Sequence, residues 1–152
     1  LIGVEMNEYR IELAKKLGLA DYVFKPGEDA LEEILAVTGG RGVERAIDAS
    51  ANDAGRQLAI RATREWGKIA FVGEGGTCTF NPSPDIIHGQ KTIYGSWVTS
   101  LWKMEELVER LVRWGIHPED LITHEFPIEK ASEAYRLMAE GQCGKVAVTF
   151  PE

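Results

Sequence analysis

The 152-residue chain carries 24 acidic and 17 basic side chains, a net charge of −7, and no basic block to offset it, which argues against nucleic acid and anionic membranes as partners. Its 44% hydrophobic and 27% charged residues suit a globular chain with a sizeable core. No apolar run approaches a membrane span and the start lacks a basic-then-apolar signal pattern, so a cytoplasmic protein is expected. Cys78 and Cys143 stand far apart without CxxC or Cys/His spacing, which predicts reduced thiols and no zinc site of their own.

Leu1-Ile2-Gly3-Val4-Glu5 is an apolar run ending in a carboxylate. It predicts a buried parallel strand with Glu5 at the rim of a sheet, where ligands of open α/β sheets bind. A carboxylate there can accept hydrogen bonds from the hydroxyls of an adenosine ribose, and its charge repels a 2′-phosphate. The same residues also read as a strand that merely ends in an acid at a turn, because the Gly-rich turn expected about 20 residues earlier is not in the sequence. A chain that opens with Leu1 inside a strand-like run is expected to be processed or a piece of something longer.

From Asn7, a good N-cap, Leu13 and Leu17 fall at i and i+4 and Gly18 follows, which predicts a helix. Asp21 to Phe24 is a short strand, then Leu31, Ile34 and Leu35 mark a helix stopped by Gly39-Gly40. A third strand, Val43 to Ala49, leads into a helix from Asp53 to Trp66, and Lys68 to Val72 forms a fourth strand ending in Gly73. This β-α-β-α-β-α-β rhythm predicts a doubly wound parallel sheet. Beyond it, Cys78 to Phe80 reads as a short strand and Ser83-Pro84-Asp85 as a short helix. Thr92 to Val98 reads as a fifth long strand. An amphipathic helix through Met104, Leu107, Val108 and Leu111 follows, then a strand at Leu121 to Phe126, a helix from Ile128 to Glu140 and a strand at Lys145 to Phe150.

Taken in order, Ile2-Gly3-Val4-Glu5, Leu13-Ala14-Lys15-Lys16-Leu17-Gly18, Thr38-Gly39-Gly40-Arg41-Gly42-Val43, Phe71-Val72-Gly73, Gly95-Ser96-Trp97, Leu121-Ile122-Thr123-His124 and Gly144-Lys145-Val146 resemble the medium-chain dehydrogenase/reductase family. The resemblance is specifically to its zinc-dependent alcohol and polyol dehydrogenases, and it implies the C-terminal part of such an enzyme. The expected fold is a Rossmann-like doubly wound parallel sheet whose first strand and Gly-rich turn are absent, plus a C-terminal αβαβ tail. Residues 1–98 would be a partial dinucleotide-binding domain and 99–152 the segment returning to the catalytic domain. The catalytic zinc would enter only through the N-terminal domain, and no catalytic or metal residue is expected in this chain.

The resemblance further implies a cofactor site. Glu5 matches the ribose-binding acid and Arg10 a basic residue along the same ribose. Ala49 and Ser50 fall where the family chain passes near the cofactor. Val72, Gly73 and Glu74, with Ser96 and Val98, fall where backbone groups line the nicotinamide. Lys145 approaches the pyrophosphate. A typical member has Asp at position 5; the longer Glu5 keeps the acceptor role and leaves NAD favoured, with NADP less so. The resemblance also implies a dimer or higher oligomer through the 92–98 strand, with Trp97 at the interface.

Other signals read more plainly as structure. Gly73-Glu74-Gly75-Gly76 begins G-x-G, but Cys78 stands where the third glycine belongs, so it is a strand-ending turn rather than a phosphate loop. His88, His117 and His124 have no Cys or carboxylate at ligand spacing and are not expected to do acid/base work. The charged run through Glu105, Glu106, Glu109, Arg110 and Arg113 is a solvated helix face with i,i+4 pairs.

In the strand order 3-2-1-4-5-6 the absent first strand is the central one, so the strands at Leu1–Glu5 and Val43–Ala49 lose their shared neighbour. Direct pairing of the two halves, another polypeptide in the gap, or a chain that is a cleaved remnant of a longer parent is expected rather than an open edge. Two functions follow as expectations: an oxidoreductase portion that holds the cofactor but is inactive as an isolated chain, or a non-catalytic dimerising scaffold that binds no nucleotide.

Overall fold

The computed structural model describes residues 1–151. In chain order the elements are β1 (Ile2–Val4), α1 (Glu8–Lys16), β2 (Tyr22–Phe24), α2 (Ala30–Val37), β3 (Val43–Asp48), α3 (Asp53–Ala62), β4 (Thr63–Phe71) and β5 (Thr92–Gly95). They continue with α4 (Leu101–Trp114), β6 (Ile122–Pro127), α5 (Ala131–Glu140) and β7 (Lys145–Thr149). Short 3-10 turns precede β6 and α5, and a five-residue π-helical turn covers Ser83–Ile87. Every strand pairing is parallel, as the α/β alternation requires. The chain divides into two compact units, Pro26–Val98 and a second made of 1–25 with 99–152.

In the Pro26–Val98 unit, β3, β4 and β5 form one parallel ladder in that order. Their last residues are in register: Asp48 stands opposite Phe71, and Phe71 opposite Gly95. Ile34 of α2, Ile60 of α3 and Ile69 of β4 are buried as this unit's core. Ile60 and Ile69 are fully shielded, each at 0% exposure, so each contributes on the order of 2 kcal/mol of apolar burial.

In the other unit, β1 pairs with β2 from Ile2/Tyr22 to Val4/Phe24, and β6 pairs with β7 with α5 as the crossover. Asn7 caps α1 by accepting from the Arg10 amide, and its side-chain amide donates to the Gly141 carbonyl at 2.9 Å. One residue thus starts a helix and ties it to the end of α5. Helix α4 forms where the apolar periodicity predicts, yet none of its residues is buried; Met104 and Leu107 remain 49% exposed.

The ladders depart from expectation in several places. Helix α3 stops at Ala62 rather than Trp66, because Thr63 turns extended (φ −81°, ψ 130°) and its hydroxyl donates to the Ala59 carbonyl at 2.7 Å. The β-branched Thr63 is well suited to the strand it begins. No strand covers Cys78–Phe80; the Thr79 amide donates instead to the Asp53 carboxylate. Strand β5 ends at Gly95 rather than Val98, since β4 ends at Phe71 and offers no partner further on. Among the described residues β1 pairs with β2 and β3 with β4, and the other edge of each carries no strand. No helix among the described residues is long and apolar enough to cross a membrane.

Candidate functional site

In the Pro26–Val98 unit the site is built outward from Asp48, the last residue of β3. Its backbone oxygen accepts from the Val72 and Gly73 amides at 2.8 and 3.1 Å, which carries the β3–β4 contact past the end of the ladder. Its buried carboxylate (4% exposed) accepts from the Ser50 hydroxyl at 2.5 Å, the Ser50 amide at 3.2 Å and Arg56 Nε at 3.3 Å. A buried carboxylate is costly unless paired and hydrogen-bonded, and here both oxygens are engaged.

Arg56 reaches back from α3 to complete the arrangement. One guanidinium nitrogen donates to the Gly73 carbonyl at 2.7 Å, the other to the Thr77 carbonyl at 3.0 Å, and the group stacks 5.4 Å from the Phe71 ring centre. Asn52 accepts from the Ala54 and Gly55 amides and starts α3 at the mouth of β3. Between strand and helix, Ala51 takes a left-handed backbone (φ 56°), the kind of local strain that a surrounding network must hold in place. Gly73 lies so close to this turn that a Cβ on it would stand 2.5 Å from the Ala51 nitrogen.

The predicted residues fall on this frame as follows. Ala49 and Ser50 leave β3, Val72 and Gly73 leave β4, and Ser96 leaves β5 with its amide donating to the Phe71 carbonyl at 3.0 Å. These five are brought together at the carboxyl ends of three neighbouring parallel strands. Glu74 follows in the exposed loop. Val98 sits three residues past β5, 82% exposed and left-handed (φ 45°), and is not gathered with the others. Near Arg56, burial pushes the Cys78 thiol above its ordinary value, with the Asp53 charge adding to the shift.

The other unit holds the remaining three. Glu5 directly follows β1, and its amide extends the ladder by donating to Phe24. One carboxylate oxygen accepts from the Met6 and Asn7 amides at 2.8 and 2.9 Å, so the side chain is held at the strand end and not turned into the interior. Arg10 and Lys145, with Leu13, Leu121 and Gly144, line one open cleft of about 310 Å³. Two cations on one cleft provide the donor chemistry that an anionic group such as a phosphate requires.

The Arg56 brace was not among the predicted residues. Its signal was available: Arg56 lies four positions before the inward Ile60, on the same helix face, eight residues after the strand-ending Asp48. The Asn7 link to Gly141 spans 134 positions and has no local signal. Among the described residues no group of three His, Cys, Asp or Glu side chains is placed to hold a metal, so these residues do not fit a zinc centre.

A sequence profile described as zinc-binding dehydrogenase matches residues 1–114. The chain is 43% identical over 152 residues to a zinc-type alcohol dehydrogenase-like protein, YphC, of Escherichia coli, spanning all of this chain and 43% of that protein. It is 34% identical over 150 residues to an L-threonine 3-dehydrogenase of Pyrococcus horikoshii, covering 96% of this chain and 43% of that one. In three dimensions it matches a benzyl alcohol dehydrogenase of Acinetobacter calcoaceticus with a TM-score of 0.84 at 28% identity, over 99% of this chain and 42% of the other. The chain therefore spans less than half the length of the relatives it matches. With the parallel strands, the elements at their carboxyl ends and the family profile all in agreement, the chain belongs to the zinc-binding dehydrogenase family, of which it corresponds to a C-terminal part.

Proposed function

We propose that this chain supplies the nicotinamide dinucleotide-binding and C-terminal portion of a cytoplasmic dehydrogenase acting on an alcohol, a polyol or a hydroxy amino acid such as threonine. Residues 1–98 serve as the partial dinucleotide domain and 99–152 as the part returning to the catalytic domain. When bound, the nicotinamide ring supplies hydride transfer to and from an alcohol carbon; the residues here bind and orient it. The observation that carries the reading is the collection of Ala49, Ser50, Val72, Gly73 and Ser96 at the carboxyl ends of adjacent parallel strands, the place where open α/β sheets bind ligands.

In this reading backbone groups of Val72, Gly73, Glu74, Ser96 and Val98 line the nicotinamide, with Ala49 and Ser50 beside it. Glu5 accepts from the adenosine ribose through the carboxylate oxygen that the Met6 and Asn7 amides leave open, Arg10 lies along that ribose, and Lys145 meets the pyrophosphate. The charge of Glu5 favours NAD over NADP. The chain alone turns over no substrate.

A titration of NAD and NADP followed by tryptophan fluorescence tests the reading. Micromolar binding of NAD, weaker for NADP, supports it. Absence of NAD binding refutes a retained cofactor site and favours the second reading, a dimerising scaffold. The exposure of Trp97 (76%) and Val98 (82%) beside β5, which among the described residues pairs on one edge only, favours association through the 92–98 segment in either case. Sedimentation of the isolated chain measures it. Zinc-dependent NADH formation from alcohols by the chain alone would overturn the expected inactivity.

A further inference from the structure

We propose that Arg56 is a positioning residue: it clamps the loop from Gly73 to Thr77 onto the end of β3 and so sets nucleotide affinity by acting through that loop. The inference rests on the cofactor reading above for its second half only. Three observations carry the first half. Arg56 is 8% exposed, yet its three donors all go to the ends of strands or the loop beyond: Asp48 from β3, the Gly73 carbonyl just past β4, and the Thr77 carbonyl four residues on. The guanidinium carbon lies over the Phe71 ring, 5.4 Å from its centre. The loop also packs directly on the strained turn at Ala51, with a hypothetical Gly76 Cβ 1.9 Å from the Ala51 oxygen.

This geometry differs from that of a buried ion pair kept for charge neutrality. A planar fork addressing three fixed acceptors in different directions is something guanidinium does and an ammonium does not. If neutralising Asp48 were the whole role, lysine would serve. Because two of the three acceptors are loop carbonyls, the side chain instead determines the loop's shape, and preorganised backbone binds a ligand without first being ordered.

The test compares the full chain with Arg56→Lys, using hydrogen exchange read at individual amides and NAD titration by fluorescence. The expected result is faster exchange at Gly73 and Thr79, unchanged protection at Ile60 and Ile69, and NAD affinity lowered on the order of tenfold. Equal exchange at Gly73 and Thr79 in the two proteins overturns the clamp, whatever NAD does. Faster loop exchange with unchanged NAD affinity overturns the second half. If the parent chain binds no NAD, the cofactor reading and the affinity claim fall together, while exchange at Gly73 and Thr79 still decides the clamp. Should Arg56→Lys not fold, Phe71→Leu removes the ring under the guanidinium and is expected to speed exchange at the same two amides; no change there overturns the clamp.

Discussion

Replacing Gly76 by alanine isolates how tightly the loop after β4 is held against the β3 turn. Gly76 has φ +65°, and a Cβ built on it would stand 1.9 Å from the Ala51 oxygen and 3.0 Å from its carbonyl carbon. Both neighbours are backbone, so relief requires moving the turn or the loop, which on the scale of overpacked sites costs about 1–3 kcal/mol. The left-handed backbone adds roughly 1–2 kcal/mol for any residue with a Cβ, giving about 2–5 kcal/mol in all. Gly75 is the internal control. Its φ is +85° but no atom lies within 4 Å of its Cβ position, so Gly75→Ala carries only the conformational part, about 1–2 kcal/mol. Urea unfolding followed by tryptophan fluorescence measures both, with equal m-values as the condition for comparing them. The expected outcome is Gly76→Ala below Gly75→Ala by about 1–3 kcal/mol. Equal midpoints for the two variants would mean that the loop does not press on Ala51, and the packed platform at the strand ends would be refuted.

Two further outcomes follow from the same region and from the thiols. Asn52→Ala removes the acceptor of the Ala54 and Gly55 amides at the start of α3 and is expected to cost about 1 kcal/mol, with Asn52→Asp nearly neutral; urea midpoints decide it, and an alanine variant as stable as the parent would contradict the cap. Cys143 is fully buried, while Cys78 is half-buried with its thiol pushed above its ordinary value by burial and the nearby Asp53 charge. Because the folded value is raised, the neutral Cys78 thiol contributes its stability fully below the ordinary thiol value and loses it as pH rises through the folded one. Iodoacetamide pulses read by peptide mass spectrometry should label Cys78 more slowly than a free thiol at about pH 8, with the difference closing as the pH is raised, and Cys143 only on unfolding. Labelling of Cys78 at the rate of a free thiol at pH 8 would contradict the assigned environment.

Local pattern determined the element types and their parallel, alternating order. The capping grammar at Asn7, the i,i+4 leucines after it and the turn glycines that bound the strands at Val43 and Lys68 act within a few residues, so they are legible without the rest of the molecule. The placement of Glu5 just past β1 and of Gly73 just past β4 followed from the same local rhythm, because each closes an apolar run at a turn. Tertiary structure decided what depends on partners. Helix α3 ended four residues early because Thr63 gained a strand neighbour in Val43, and β5 ended at Gly95 because β4 had no residue left to pair with it. The strand order that the resemblance implies already singled out β1 and β3 as the strands facing a gap, but whether a partner fills those edges cannot be read from propensity, since an edge is defined by what lies beside a strand and not by what lies in it. The Arg56 network is of the same kind: the buried guanidinium is satisfied by the end of β3 and the loop after β4 together, and that convergence belongs to the folded chain alone.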